Sequence, residues 1–295
     1  MIKISICMVS LNCWDVLKEC IGSIEASLPE IQYEIIIVDN NSSDCTCVNI
    51  KNNYPKITLI CNDQNVGFTK ASNQAIRQCS GEFILWLNTD TIIMPDTLNK
   101  LINFMDAKPD CGIVGPKVLN ADGSFQAQCR RGMPTPMASF FYMFRLNKIW
   151  PNNKTIGGYL LSYLPVDEEN EVISVSGCCL FARHKVWDQI GPLDESILGF
   201  GEDIDWCVRA RNAGWKVWYN PAAEIIHLKG LGGVHVYPYH KVLFLHQAMW
   251  IFYKKHLKKD YNLLVSIIIY AGIKLSCIIS YAGIYIKRIF MPSKQ

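Results

Sequence analysis

Three segments place carboxylates where a ligand could meet them. Asp39 closes the apolar run at residues 35–38 and opens the polar stretch Asn40, Asn41, Ser42, Ser43, Asp44. A carboxylate at such a point can accept hydrogen bonds from a pyrimidine imide N–H or from ribose hydroxyls, although the same residue types also make plain turns. Asp90 follows the apolar run 83–87 and Asn88-Thr89. An acid there is costly unless it is paired, holds a metal or caps the helix that begins near Pro95. A hard divalent cation held by one or two protein groups and by substrate phosphates is the usual construction of such a site. Glu202, Asp203 and Asp205 crowd a helix start. The helix dipole alone favours acids in that position, and one of them could equally be the base that deprotonates an acceptor hydroxyl. His227, just before Gly230, Gly232 and Gly233, suits either a satisfied strand-edge histidine or a metal ligand.

The elements that must position these groups alternate along the chain. Strand-like runs at residues 3–10, 34–39, 57–61 and 81–87 are separated by helical patterns at 14–27, 45–54 and 70–78. This alternation predicts an α/β fold with a mostly parallel central sheet and right-handed crossovers, in which ligands sit at the carboxyl ends of strands. Residues 10–12, 39–44 and 88–90 all fall at such ends. Further strands are expected at 112–118, at 172–183 through Gly177, and at 216–219 and 223–227. Helices are expected from Pro95 towards Met105, at 185–190, and at 202–213 before Gly214, a residue suited to the end of a helix. Residues 127–165 are rich in proline and aromatics without clear periodicity, which predicts a long loop or short helices over the site. Arg130 and Arg131 lie in that stretch, either closing over the phosphates of a ligand or forming a solvated surface pair.

At 295 residues, half of them apolar, the chain has room for one large α/β domain and an appendage. Thirteen cysteines, an odd number in a long chain whose first ten residues do not read as a signal peptide, indicate reduced, cytosolic thiols. The pairs Cys45/Cys47 and Cys178/Cys179 lack zinc-site spacing and read as buried or incidental thiols. The net charge of +3 is unevenly spread: residues 228–295 hold ten Lys/Arg and the single acid Asp260. Within them, residues 261–286 are nearly all apolar, with Lys274 in the middle, Lys254, Lys255, Lys258 and Lys259 before, and Lys287 and Arg288 after. Basic flanks on both sides suit an anionic membrane surface, each basic residue near it contributing about 1 kcal/mol. A central lysine costs a spanning helix about 2.5 to 3.5 kcal/mol, so attachment to one face is favoured over crossing. A buried helical hairpin or a homodimer interface is the alternative use of the same residues. Residues 1–238 therefore read as the α/β domain and 239–295 as a basic, apolar helical region.

Taken in order, the segments resemble family 2 glycosyltransferases of the GT-A fold, most closely a bacterial rhamnosyltransferase-like branch. The resemblance runs over residues 3–256. It rests on Val9-Ser10-Leu11-Asn12, the turn from Val38 to Asp44, Asn65-Val66-Gly67-Phe68 with Asn73, Leu87-Asn88-Thr89-Asp90, Gly123-Ser124 through Arg131, Ser176-Gly177, Glu202-Asp203 and His227. The ordered set favours the site reading of each segment over the separate local explanations. It implies that Ser10, Leu11 and Asp39 hold the base and ribose of a nucleotide-sugar, with Asn41, Asn65, Gly67 and Asn73 in the same pocket. Asp90 matches the last aspartate of the family's Asp-X-Asp motif, with Asn88 at the first position, and His227 a histidine that completes a Mg²⁺ or Mn²⁺ site. Asp203 matches the general base and Glu202 its neighbour. Arg131 is expected near the donor phosphates, and Gly177 and Trp206 on the acceptor side.

The resemblance implies an inverting, metal-dependent hexosyltransferase. It would move a sugar from dTDP-rhamnose or a UDP-hexose onto a polyprenyl-linked or other saccharide in cell-surface polysaccharide biosynthesis. The expected location is the cytoplasmic face of the cell membrane, peripheral or monotopic, with no nucleic-acid partner. A nucleotidyltransferase should carry a glycine-rich phosphate loop near the first strand, and residues 9–12 have none. A catalytically inactive nucleotide-sugar-binding scaffold should have lost Asp90 or the Glu202-Asp203 pair, and both are present.

Overall fold

The computed structural model describes residues 2–27, 31–232 and 238–290. Gly233 and the residues just before the expected boundary at 238/239 lie outside them, as do the side chains of Lys287 and Arg288. The chain forms two compact units, Met1–Leu193 with Asp203–Val234, and Asp194–Glu202 with His235–Gln295.

The first unit opens with β1 (Ile4–Ser10), α1 (Trp14–Ser27), β2 (Tyr33–Asp39), α2 (Thr46–Asn53), β3 (Thr58–Cys61), α3 (Phe68–Ile76) and β4 (Phe83–Leu87). Every residue of β1 and of β4 is buried, as expected of strands covered on both faces. α1 turns Leu17, Cys20, Ile21 and Ile24 inward, a stripe at helical spacing that packs its length on the sheet. β5 (Thr91–Ile93), α4 (Thr97–Ala107) and β6 (Cys111–Leu119) follow. The aromatic-rich stretch then yields β7 (Arg130–Arg131), α5 (Pro136–Met143) and α6 (Leu146–Ile149), in keeping with short helices there. The unit continues through β8 (Asn170–Glu171), β9 (Ser174–Val175), β10 (Cys179–Arg183) and α7 (His184–Ile190). It ends with α8 (Glu202–Asn212), whose first residue belongs to the second unit, and β11 (Lys216–His227).

Nine strands make one sheet in the order β3-β2-β1-β4-β10-β6-β11-β5, with β8 pairing β11. β1, β2, β3, β4, β6 and β11 run one way, while β5, β8 and β10 run the other. The mostly parallel sheet is as expected.

Three elements differ from the sequence reading. Residues 172–183 are two strands, because the chain turns at Ser176–Cys178 and sends β9 to pair with β7 in a separate small sheet. The two strands expected at 216–227 are one, with a register irregularity between Asn220 and Glu224 where Pro221 cannot donate. Cys47 and Cys61 pair as a disulfide, which corrects the reading of every thiol as free. The other eleven cysteines are free, most of them buried.

The second unit is a helical hairpin of α9 (Pro238–Phe252), a π turn at Tyr253–Leu257 and α10 (Leu263–Phe290). Tyr239 stacks on Tyr281, His246 Nε2 lies 3.0 Å from Ser276 Oγ, and the Tyr253 hydroxyl lies 2.8 Å from Ser266 Oγ. These pairs run in opposite order along the two helices, so they are antiparallel. The outer face of α10 leaves Leu264, Ile268, Leu275 and Ile279 exposed. Residues Leu263–Ile286 are long and apolar enough to cross a membrane by length and composition.

Candidate active site

The parallel register of β1 and β2 sets Ser10 beside Asp39 at the carboxyl end of both strands. Ser10 Oγ donates to Asp39 Oδ2 at 3.0 Å, and Ser42 donates through its backbone N–H to Oδ1 at 2.9 Å and through its hydroxyl to Oδ2 at 2.6 Å. Asp39 is thus buried and fixed at the mouth of the turn. Asn12 and Asn41 take positive φ, 50° and 70°, a backbone region asparagine tolerates better than most residues. Asn12 Oδ1 accepts the N–H groups of Ser43 at 2.7 Å and Asp44 at 3.2 Å, tying the end of β1 to the turn after β2.

Asn40, part of the same turn but given no role by the motif, joins this edge to the loop before α3. Its Nδ2 donates to Asn65 Oδ1 at 2.8 Å, and its Oδ1 accepts from Val66 N at 3.0 Å and Asn62 Nδ2 at 3.2 Å. Asn65 Oδ1 also accepts from Gly67 N at 2.9 Å, and Gly67 at φ 88° starts α3. Ser10, Leu11, Asp39, Asn41, Asn65 and Gly67 therefore belong to one strand-end cluster. Asn73 stands apart: it is buried in α3, donating to Leu193 O at 3.0 Å and accepting from Leu193 N at 2.9 Å. Its amide braces the backbone there.

β5 and β11 pair with Thr91 opposite His227, which brings Asp90 to the histidine. His227 Nε2 lies 3.3 Å from Asp90 Oδ1, while Asp90 Oδ2 accepts the N–H groups of Leu231 at 3.2 Å and Gly232 at 3.1 Å. Burial alone would raise the Asp90 pKa, but the hydrogen bond and charge of His227, with the two backbone donors, hold it below the usual value. Burial likewise opposes a charge on His227, yet its contacts with Asp90 and the Cys178 side chain push its pKa up to about 10. Gln126 secures the histidine, with Nε2 donating to its carbonyl at 2.9 Å and Oε1 lying 3.3 Å from Nδ1. Asn88 donates its N–H to Cys178 O at 2.9 Å across the β4–β10 junction.

One carboxylate and one imidazole are donors a divalent ion accepts. Among the described residues no group of three or more His, Cys, Asp or Glu could hold a metal ion, so an ion here depends on substrate oxygens for its remaining ligands.

The small β7–β9 sheet sets Arg131 opposite Ser174 and leads directly into Gly177. Arg131 Nη2 donates to Asp203 Oδ2 at 2.5 Å and to Val175 O at 2.8 Å, and Gly177 N donates to the same Asp203 oxygen at 2.8 Å. Asp203 Oδ1 accepts its neighbour's N–H, that of Ile204, at 2.7 Å. Burial disfavours charge on Arg131, but the Asp203 carboxylate outweighs it and pushes the guanidinium pKa further up. A Cβ on Gly177 would lie 3.1 Å from the Trp86 ring and 3.3 Å from Asp203 Cβ, so a glycine lets the chain pass between them.

The reading of the arginine pair as a solvated surface pair gives way here. Arg130 and Arg131 are buried, and Arg130 is spent on the carbonyls of Leu164 and Pro165, both at 2.7 Å. Trp206 also departs from the expected acceptor wall: it is 3% exposed, with its indole N–H donating to Gly191 O at 3.0 Å, so no ring face is open to a sugar. Asp205, fully buried, pairs with Arg209 at 2.9 Å within α8. Glu202 is buried at the start of α8, next to Asp203.

Comparison with known proteins decides what kind of site this is. The model of the family described as "Glycosyl transferase family 2" matches residues 5–163. The chain belongs to glycosyl transferase family 2. That match takes in the strand-end cluster, Asp90 and Arg131, whereas Gly177, Glu202, Asp203 and His227 lie beyond it and stand on their geometry. The glycosyltransferase is 29% identical over 211 residues, 68% of each chain, to the N-acetylglucosaminyl-diphospho-decaprenol L-rhamnosyltransferase of Mycobacterium tuberculosis. It is 27% identical over 205 residues to the low-salt glycan biosynthesis hexosyltransferase Agl10 of Haloferax volcanii, covering 66% of this chain and 58% of that one. The crystal structure of S. aureus TarS 1-349 shares its fold, with a TM-score of 0.54 at 16% identity over 89% of this chain and 75% of that one.

Proposed function

We propose that this glycosyltransferase is an inverting enzyme that moves a sugar, rhamnose from a dTDP donor or a hexose from UDP, onto a lipid-linked saccharide used in cell-surface polysaccharide assembly. The rhamnosyl group and the lipid-linked acceptor are drawn from the M. tuberculosis rhamnosyltransferase, a relative similar over two thirds of both chains, and the nucleotide carriers from the family resemblance. The observation that carries the chemistry is the Asp203 carboxylate, buried and fixed through Oδ2 by Arg131 and by the Gly177 N–H.

In this reading the strand-end cluster around Asp39 binds the base and ribose, and the Asp90–His227 pair lies at the diphosphate. Asp203 takes the acceptor hydroxyl proton on Oδ1. The acceptor oxygen forms its bond to the anomeric carbon from the face opposite the leaving group, and the carbon–oxygen bond to the diphosphate breaks with its electron pair. The nucleoside diphosphate departs and the configuration inverts in one displacement. Arg131 keeps the base aimed, and a placed base of this kind contributes about 10² to 10⁴ in rate. Asp90 and His227 would hold a Mg²⁺ or Mn²⁺ ion, which when bound supplies Lewis-acid stabilisation of the charge on the diphosphate. The basic, apolar second unit would keep the enzyme at the cytoplasmic face of the membrane, where a polyprenyl-linked acceptor resides.

A thermal-shift titration with dTDP, UDP, GDP and ADP, each with and without Mn²⁺, tests the donor site. Stabilisation by dTDP or UDP should approach about 2.7 kcal/mol at a hundredfold excess over the dissociation constant. Its Mn²⁺-dependent part should vanish in Asp90→Ala. No stabilisation by any nucleotide would remove the donor assignment.

A further inference from the structure

The aromatic segment between the buried arginine pair and β8 has one face that the site does not use. On α5, α6 and the residue after them, Phe140, Phe144, Ile149 and Trp150 are exposed, Phe144 to 62%, Ile149 to 63% and Trp150 to 54%. Phe140 and Phe144 lie together with ring centroids 4.6 Å apart, and α6, which leads to Ile149 and Trp150, packs against α5, so the exposed carbon is concentrated on one short stretch of chain.

Charge surrounds this patch with a single sign. Residues 123–166 hold five Lys/Arg and no acid. Arg130 and Arg131 are buried in the site, but Arg145, Lys148 and Lys154 are exposed beside the aromatics and form no ion pair among the described residues. A basic, aromatic surface of this kind is complementary to anionic headgroups over an apolar layer. A site for an acidic protein would need the charges without so much bare carbon.

The inner side of the same segment is fastened to the chemistry. The Tyr142 ring packs on Tyr159 at 5.0 Å, and the Tyr142 hydroxyl accepts from Gln128 Nε2 at 3.4 Å. The half-buried Tyr159 in turn lies against Arg131, which holds Asp203. The patch is therefore continuous, through two tyrosines, with the base that must meet the acceptor.

We propose that residues 136–154 are a lipid-docking surface of the catalytic unit itself, seated on anionic headgroups so that a lipid-borne acceptor is presented beside Asp203. Phe144 and Trp150 enter the headgroup layer, and Arg145, Lys148 and Lys154 meet its phosphates. The proposal deepens the functional reading above and rests on it for the identity of the acceptor, while the contact with lipid can be measured without turnover.

The experiment uses the full-length chain with phosphatidylcholine vesicles containing phosphatidylglycerol, the lipids carrying brominated chains that quench nearby tryptophan. Wild type should lose more emission than Trp150→Phe by about the contribution of one of its eight tryptophans, whatever the second unit does. Phe144→Ser with Trp150→Ser, and Arg145→Glu with Lys148→Glu, should raise the KM for a vesicle-borne acceptor by about fivefold or more, the factor expected when one basic residue is withdrawn from an anionic surface. The same variants should leave the dTDP or UDP thermal shift unchanged, which also shows that they fold. Equal quenching of wild type and Trp150→Phe overturns the proposal. So does a dimer in sedimentation that Phe144→Ser with Trp150→Ser converts to monomer while quenching is unaltered, since the patch would then be occupied by a second copy. Quenching as expected with no turnover of any donor would leave the lipid surface standing and count against the acceptor reading instead.

Discussion

Arg131 and Asp203 face one another as opposite charges with little solvent, and without Arg131 the carboxylate keeps only backbone N–H donors and loses its counter-charge. Arg131→Met should therefore destabilise the protein by about 3 to 5 kcal/mol. Adding Asp203→Asn should restore part of that, which a double-mutant cycle in urea would measure. Simple additivity would mean that the two do not interact. The second charged pair predicts a pH dependence. His227 titrates near 10 in the fold against an ordinary value of 6.5, so its stabilisation is complete below about pH 6.5 and is lost as the pH rises through 10. The Tm difference between wild type and His227→Gln in metal-free buffer should shrink over that interval; a difference that grows would contradict the pairing. Asp39, Asp90 and Asp203 are legible in the sequence as candidate site residues because each follows an apolar run or opens a helix. The role of Arg131 is not, because its partner lies 72 residues away and is reached only through the β7–β9 pairing.

Those pairings are the work of the elements. β9 can lie close over β6 because Gly115 has no side chain: a Cβ there would stand 2.6 Å from Val175 Cβ. Gly115→Ala should displace β9, with Val175 O and Gly177 N moving away from the Arg131–Asp203 pair. The expected cost is about 1 to 3 kcal/mol, typical of overpacking, with kcat falling more than the donor KM rises. Unchanged stability and kcat would show that β9 does not position the base. The first four strands and their helices are readable from alternating patterns, since each is local and repeats a simple period. The break at Ser176–Cys178 is not, since only long-range pairing separates its two halves. β5 escapes a sequence reading for a similar reason: three residues carry no period, yet they set Asp90 against His227.

At the scale of the whole molecule the charge asymmetry acquires a structural meaning. The basic tail is a hairpin whose α10 exposes Leu264, Ile268 and Ile279 on one side. Replacing these three by glutamate should weaken, but not abolish, sedimentation of the full-length protein with anionic vesicles without altering nucleotide binding; undiminished sedimentation would mean that α10 takes no part in membrane attachment. The family, the fold and the chain's general task follow from features spread over its length, whereas in the proposed reading the choice of donor rests on a few contacts at the strand ends. The most direct measurement is nucleoside diphosphate release from dTDP-rhamnose and from UDP-hexoses, with a polyprenyl-diphosphate saccharide present, comparing wild type with Asp203→Asn. The account predicts acceptor-dependent release by wild type and a fall of about 10² to 10⁴ in the variant at unchanged nucleotide affinity. Equal release by both proteins, or none from any donor despite tight nucleotide binding, would contradict it.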